Sequence, residues 1–292
     1  MKDKLIIFLI VFSCGFGLNS FSQPTSTAGT NKDTPRDGIF DHIHTDFKKP
    51  IPYSPLREAD VIYSKRIWQI IDFREKINQT FYYPVVDHLN WKSFMSVIIT
   101  AVKSSELTAY NAEVDDEFTV PFNASEVTDA LAGVARVTIK RNMEGDSIGV
   151  ETVYDDAYSP GDVKKLRIKE VWYFDKQRSE MKVRILGFCP VREYIEEVDG
   201  FVQVKTTPLF WIYFPEARSV LSRAEVFNRK NGAERRTYDD IFWKRMFSSY
   251  IYKEENVYDR RINQYATGME ALFESERIKN EIFTIENDMW DY

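Results

Sequence analysis

A change of hydrophobic period in the middle of the chain constrains its fold more than any other feature. Through residues 134–215 apolar side chains recur at every second position, which is the period of a β-strand with one buried face. The clearest runs are Leu166, Ile168, Trp172 and Phe174, followed by Met181, Val183 and Ile185. The polar stretch 175–179 separates these two runs and therefore predicts an antiparallel hairpin.

A second hairpin is indicated by Asp199 and Gly200, which separate the runs 194–198 and 201–205. An Asp-Gly pair supplies the positive φ angles that a two-residue turn requires. Residues 208–214, bounded by prolines, predict one more strand.

The segments on both sides of the predicted sheet follow the helical period instead. Apolar side chains there recur at steps of three and four residues, and Asn123 with Glu126 resembles a capping box. The predicted fold class is α+β, with N-terminal helices, a central antiparallel β-sheet with hairpins, and C-terminal helices. The predicted helices are 60–78, 91–103, a short one from 123, 215–228, 239–252 and 268–289.

The N-terminus has the pattern of a secretory signal peptide. A basic start precedes an apolar stretch too short to cross the roughly 30 Å of a bilayer core, and Ser20 and Ser22 are small residues near the expected cut. We predict that residues 1–22 are a signal cleaved after Ser22. The alternative is a lipoprotein acylated on Cys14, but Phe12 is bulky where a small residue is usual.

Two regions follow the signal: a proline-rich flexible arm, residues 23–55, and a single α+β domain, residues 56–292. The arm holds five of the eleven prolines among Thr, Ser, Asp and Lys. Such a composition buries too little apolar surface to offset chain entropy. Within the arm, Phe40, Ile43 and Phe47 are candidates to dock on a neighbouring molecule.

Composition and motifs argue against several function classes. The formal charge of −6 is opposite to the basic footprint of a nucleic-acid-binding protein, and two Cys and three His leave little room for a zinc site. No phosphate-binding loop, nucleophile elbow or zinc-protease motif occurs, and no pair among the 45 Asp and Glu residues stands out for sugar hydrolysis. We therefore predict no enzyme activity, catalytic residue, cofactor or metal.

Two residues with potentially reactive side chains are interpreted as structural. Cys189 ends the apolar sequence 185–189 and is predicted to be a buried, inert hydrophobe, because a reactive thiol needs a positively charged, partly exposed setting. His88 is the only histidine of the predicted folded domain, and the sequence offers it no partner for acid–base chemistry.

A basic stretch follows the predicted sheet, between Arg218 and Arg236. Glu216, Glu225 and Glu234 interleave with its cations, which favours a mixed, solvated helix face. A surface for an anionic partner is the alternative interpretation.

The last predicted helix carries a candidate partner interface. Apolar and small side chains recur along it at alternating steps of four and three, a spacing that suits a helix seam. Its members are Ala271, Ser275, Ile278, Ile282, Ile285 and Met289. A second stripe adjoins the first, and internal packing of one or both stripes is the alternative; its members are Leu272, Phe283 and Trp290.

Four long segments are similar to the gliding motility protein family GldN, called PorN in non-gliding relatives. They are ADVIYSKRIWQIIDFREKIN (59–78), VWYFDKQRSEMKVRILGFCPV (171–191), DDIFWKRMFSSYIYKEENVYDRRINQY (239–265) and IKNEIFTIENDMWDY (278–292). The resemblance covers residues 54–292 with the segments in the same order and spacing, while the arm carries no comparable signature.

This resemblance implies a periplasmic structural subunit of the type IX secretion system of Bacteroidetes. Its implied partners are a lipoprotein, GldK or PorK, other copies of the chain in a ring beneath the outer membrane, and the periplasmic part of GldM or PorM. The family brings no catalytic motif, so no site residue is transferred. A periplasmic enzyme or glycan-binding module is the alternative, and a cleft lined by acids and aromatic rings would favour it.

Overall fold

A computed structural model describes residues 45–290, apart from 89–90, 132–134, 142–146, 155–159, 199–200, 229 and 232. Its helices are α1 (Gln79–Tyr82), α2 (Phe94–Lys103), α3 (Ala124–Leu131), α4 (Phe214–Leu221), α5 (Tyr238–Trp243) and α6 (Met269–Trp290). Its strands are β1 (Val61–Asp72), β2 (Ala109–Asn111), β3 (Ala135–Arg141), β4 (Ser147–Tyr154), β5 (Val163–Asp175), β6 (Glu180–Val198), β7 (Phe201–Pro208), β8 (Phe210–Tyr213), β9 (Glu225–Val226), β10 (Arg236–Thr237) and β11 (Tyr250–Glu254).

The main sheet is antiparallel and contains seven of these strands. Its order is β11-β1-β5-β6-β8-β2, with β7 also pairing with β6, while β3 with β4 and β9 with β10 form separate two-stranded ladders. The long strand β6 pairs with β5 along one edge. Along its other edge it pairs with β8 at Gly187 and Phe188, and then with β7 from Val191 to Val198. The predicted α+β class, with a central antiparallel sheet, is confirmed.

Both predicted hairpins are present as strand pairs. Asp175 lies opposite Glu180 where β5 turns into β6, and Val198 lies opposite Phe201 where β6 turns into β7. Asp199 and Gly200, the predicted turn, lie outside the described residues. The helices predicted at 91–103, from residue 123 and at 268–289 are also present, as α2, α3 and α6.

The predicted helix at 60–78 is wrong, because Val61–Asp72 forms strand β1. This segment contains five Val and Ile residues, a type that favours strands. β1 lies between β5 and β11, and both of its faces are covered near Ile67 and Trp68. Consecutive buried side chains blur the period of two, so that the apolar positions also match the helical spacing.

The helices predicted at 215–228 and 239–252 are shorter than expected. α4 ends at Leu221, and the chain then pairs as β9 with β10. α5 ends at Trp243, where Arg245 adopts a positive φ of 50°. Residues 250–254 become β11 because the edge of β1 offers a strand partner, which outweighs the local helical pattern.

The helices pack on one face of the sheet, over two hydrophobic clusters. The main core centres on Phe81, Phe94, Phe188, Phe214 and Phe242, with ring centroids of contacting pairs 5.3–6.4 Å apart. The α6 core joins Ile278 and Ile282 to Ile67 and Ile251. Ile67 and Ile71 are four residues apart on β1, so both clusters lie on the same face. Trp68, Cys189 and Trp211 form a third cluster, on the opposite face.

A glycine in β6 is required by close packing on this opposite face. A Cβ atom on Gly187 would overlap the Phe118 ring and would lie 2.7 Å from the Ile212 carbonyl oxygen. That carbonyl belongs to β8, which pairs with β6 at this point, so the backbone cannot easily move away.

We expect Gly187→Ala to lower the free energy of unfolding by about 1–3 kcal/mol, the usual cost of overpacking. Chemical denaturation measures this change. Adding Phe118→Ala removes the ring but leaves the carbonyl oxygen in place. The decrease in the free energy of unfolding should therefore be smaller for the double variant than the sum of the decreases for the two single variants. Unchanged stability of Gly187→Ala would contradict the packing argument.

Candidate functional site

A fully buried carboxylate, Glu170 on β5, lies between the sheet and the helical layer. It accepts hydrogen bonds from Gln69 Nε2 at 3.0 Å, Trp172 Nε1 at 3.1 Å and Arg245 Nη1 at 2.7 Å. The Ser249 hydroxyl bonds to the amide oxygen of Gln69 and extends this network. Because both of its oxygens accept hydrogen bonds, Glu170 is placed to hold the strands and the segment after α5 together.

Sequence reasoning missed Glu170 as a structural residue, although a signal for it exists. Leu166, Ile168 and Glu170 occupy alternate positions of β5, and the first two are core residues. A carboxylate on the buried face of a strand needs a cationic partner. That partner, Arg245, is 75 residues away in the chain and could not be identified from spacing alone.

Residues 45–55, the end of the predicted arm, lie against α4 and α5; we call this segment the strap. Lys48 forms an ion pair with Asp240 and its carbonyl oxygen accepts a hydrogen bond from the Ser222 hydroxyl at 2.9 Å. Asp240 also accepts from the backbone N–H of Thr237 at 3.0 Å, which completes the capping box of α5. One carboxylate therefore both caps a helix and anchors the strap.

A second strap contact is an aromatic and guanidinium stack around Tyr53. Its ring centroid is 5.4 Å from that of Trp243, and the Arg218 guanidinium lies 4.5 Å from the Tyr53 ring centroid. Arg218 is buried and bonds to Asp239 at 2.8 Å. Burial raises the pKa of the Tyr53 hydroxyl, with Arg218 acting in the opposite direction.

The basic stretch 218–236 does not present these arginines as a free cationic surface. Arg218 is buried against Asp239, while Arg223 pairs with Glu106 and Arg236 pairs with Glu234 at 2.7 Å. This pairing favours the mixed, charge-balanced interpretation over an anionic-partner surface.

The two residues with potentially reactive side chains lie in different surroundings. Cys189 is buried and free, as predicted, and burial raises the pKa of its thiol to about 12. His88 is exposed, and its backbone N–H donates to the Trp91 carbonyl at 3.0 Å. Among the described residues, no group of three His, Cys, Asp or Glu side chains is placed to hold a metal ion.

The stripe predicted as a partner interface on α6 turns toward the sheet. Ser275, Ile278 and Ile282 are buried, and the Ser275 hydroxyl accepts a hydrogen bond from the backbone N–H of Ile251 at 2.9 Å. Ala271, Ile285 and Met289 are half-buried on the same side of the helix.

A different surface of α6 is exposed; we call it the outer stripe, consisting of Leu272, Phe273 and Phe283. Their side chains are 53%, 63% and 61% exposed, which is high for large apolar groups. A groove of about 650 Å³ runs beside Leu272 and Phe273, between α6 and residues 245–251. The outer stripe is therefore an apolar surface of α6 that another molecule can reach.

The described residues form a packed domain with an exposed apolar surface on α6. The chain matches the family described as gliding motility associated protein GldN over residues 56–291. The chain belongs to the GldN family. This match leaves out only residues 1–55 and Tyr292, so the strap precedes the matched region.

Membership places this GldN-family protein among components of gliding motility and type IX secretion. A comparison with curated proteins found no match. Across the residues described by the structure, no helix of the GldN-family chain is long and apolar enough to span a membrane.

We expect Glu170→Gln to lower the free energy of unfolding by about 1–3 kcal/mol, because it weakens a charge-assisted hydrogen bond to Arg245, whose side chain is one-third exposed. Thermal and denaturant unfolding measure the loss. Glu180→Gln is the matched control, since Glu180 is exposed and pairs with Lys182 at the surface. It should change stability by about 0.5 kcal/mol or less. Equal effects of the two variants would contradict the structural role of Glu170.

Stability should also depend on pH through Asp240. Burial by itself raises the pKa of this carboxyl, but hydrogen bonds from Lys48 and Thr237 outweigh burial and lower it below 3.8. The unfolded state therefore binds the proton more tightly, and the stabilisation is complete above pH 3.8 and lost as the pH falls through the folded-state pKa. As the pH falls from about 5 to about 2, we expect Asp240→Asn to lose less stability than the natural protein loses.

Denaturation midpoints across this pH range check the prediction. Asp46→Asn is the control, because Asp46 lies on the same strap and is exposed. A pH profile of Asp240→Asn that matches the natural protein would contradict the role assigned to Asp240.

Proposed function

We propose that this GldN-family protein is a non-enzymatic structural subunit of the type IX secretion and gliding machinery in the periplasm. The family match over residues 56–291 carries this proposal. Export follows from the predicted signal peptide, residues 1–22, which lies outside the described residues. The proline-rich arm, residues 23–55, and the single α+β domain, residues 56–292, form the exported protein.

In this proposal the subunit forms a ring with an outer-membrane lipoprotein of the GldK or PorK type. It also contacts other copies of itself and the periplasmic part of a GldM- or PorM-type motor component. The outer stripe of α6 supports an assembly role, because exposed clusters of large apolar side chains are typical of contact surfaces. The lipoprotein partner associates the protein with the outer membrane.

Purification from detergent-extracted membranes tests the proposal. We expect the protein to elute in a large complex and the lipoprotein to co-purify with it, as identified by mass spectrometry. A monomer that elutes without the lipoprotein from gently extracted membranes would overturn the ring assignment.

Substitutions at two adjacent residues of α6 distinguish a role in folding from a role in assembly. Ile282 is 2% exposed in the α6 core, so Ile282→Ala should lower the free energy of unfolding by about 2–5 kcal/mol. Phe283 belongs to the outer stripe, so Phe283→Ala should change stability by about 0.5 kcal/mol or less. We expect Phe283→Ala to reduce co-purification of the lipoprotein or of other copies.

Denaturation and co-purification are measured on both variants at equal protein abundance. A Phe283→Ala variant that is folded and assembles like the natural protein would show that the outer stripe is not a contact surface.

A further inference from the structure

An open strand edge remains in the middle of the main sheet. On the side away from β5, β6 pairs with β8 only at Gly187 and Phe188, where β8 ends and α4 begins. No described strand pairs with residues 181–186 on this side. At about 3.4 Å per residue, this stretch spans roughly 20 Å, enough for a five- or six-residue strand. Alternate backbone N–H and C=O groups along it point away from β5.

A cavity adjoins this open edge. Its volume is about 470 Å³, and residues 181–185 of β6 form one wall. Tyr53, Phe214 and Trp243 supply aromatic rings to the lining. Backbone hydrogen-bonding groups beside an aromatic cavity are the two elements that strand-adding peptide sites combine.

Arg184 adds a positive charge at the same edge. Its guanidinium lies 5.1 Å from the Tyr53 ring centroid and donates to the Ser54 carbonyl at 2.6 Å. Among the described residues, no carboxylate lies within ion-pair distance of Arg184. The other cations of this region have acidic partners: Lys182 pairs with Glu180, Arg218 with Asp239 and Arg245 with Glu170.

We propose that an extended segment of a partner polypeptide adds to β6 as a strand along residues 181–186. An acidic side chain of this segment binds Arg184, and an apolar side chain enters the cavity beside Tyr53 and Trp243. The open backbone edge selects an extended chain, because a helix satisfies its own backbone groups. The Arg184 guanidinium, which has no carboxylate partner among the described residues, selects a carboxylate. This inference rests on the proposed function, since the partner belongs to the assembled machinery.

The protein's own strap does not occupy this edge. Ser54 contacts β6 through the Arg184 side chain, and no backbone hydrogen bond joins residues 52–54 to β6. The strap therefore lies beside the proposed strand position and forms part of the cavity wall.

Hydrogen exchange on the natural protein tests the proposal directly. The protein is compared as an isolated subunit and in the complex extracted from membranes, and exchange is followed in peptides covering residues 181–186. We expect at least tenfold slower exchange in the complex for the amides of this stretch that point away from β5. Unchanged exchange in a complex that contains the lipoprotein would overturn this inference while leaving the proposed function intact.

Charge reversal provides the second arm of the test. We expect Arg184→Glu to abolish the added protection and to reduce the bound partner at least tenfold. Lys176→Glu is the matched control, because Lys176 is exposed in the turn of the same hairpin and lies outside the open edge. Thermal unfolding of both variants shows whether either one has lost its fold. If Arg184→Glu does not fold, the exchange comparison on the natural protein decides between the outcomes.

The remaining outcomes also decide. Protection in the isolated monomer would assign the edge to the strap, and protection that appears only with increasing concentration would assign it to a second copy; both overturn the proposal. Protection by a polypeptide outside the secretion machinery would support strand addition and overturn the proposed function. An extracted protein with no partner and an exposed edge would overturn both.

Discussion

The buried carboxylate of Glu170 holds together the parts of this protein that meet at the centre of the sheet. It lies on β5 directly opposite Ile67 of the α6 core, and two residues from Ile168 of the main core. Arg245, which follows α5, forms an ion pair with Glu170. This ion pair connects the sheet to the chain between α5 and β11. A buried carboxylate is costly without such partners, and this requirement determines where the chain after α5 must pass.

The same segment borders both surfaces that we propose as contact sites. Arg245 lines the cavity beside β6 and also the groove beside α6. The strap closes one side of the cavity through Tyr53, and Asp240 anchors the strap through Lys48. Most charged side chains around this segment form ion pairs with one another, as Arg218 does with Asp239. The two surfaces that remain open are the apolar outer stripe of α6 and the backbone edge of β6. Such surfaces are the kind that polypeptide partners contact in other proteins.

The sequence predicted the centre of the fold well and its flanks less well. Alternation from residue 166 to 185 predicts the β5–β6 hairpin because each strand there has one face in the core. The same reasoning failed for β1, which is buried on both faces and contains consecutive apolar residues. It also extended α5 through residues 250–252, where pairing with β1 produces a strand. Family membership was recognisable from long segments whose order does not depend on their secondary structure.

On α6, the spacing of apolar residues by itself determined that two stripes exist, since a helix places residues three and four apart on one face. Which stripe faces inward was decided only by the tertiary structure. Ile278 and Ile282 meet Ile67 and Ile251, which belong to strands far away in the chain, and this packing leaves Phe283 exposed. The same holds for Glu170 and Arg245, because the path of the chain after α5, and not any local pattern, brings a partner from 75 residues away. Local periodicity determines which side chains of each segment can be buried. Long-range packing decides which other residues these side chains contact.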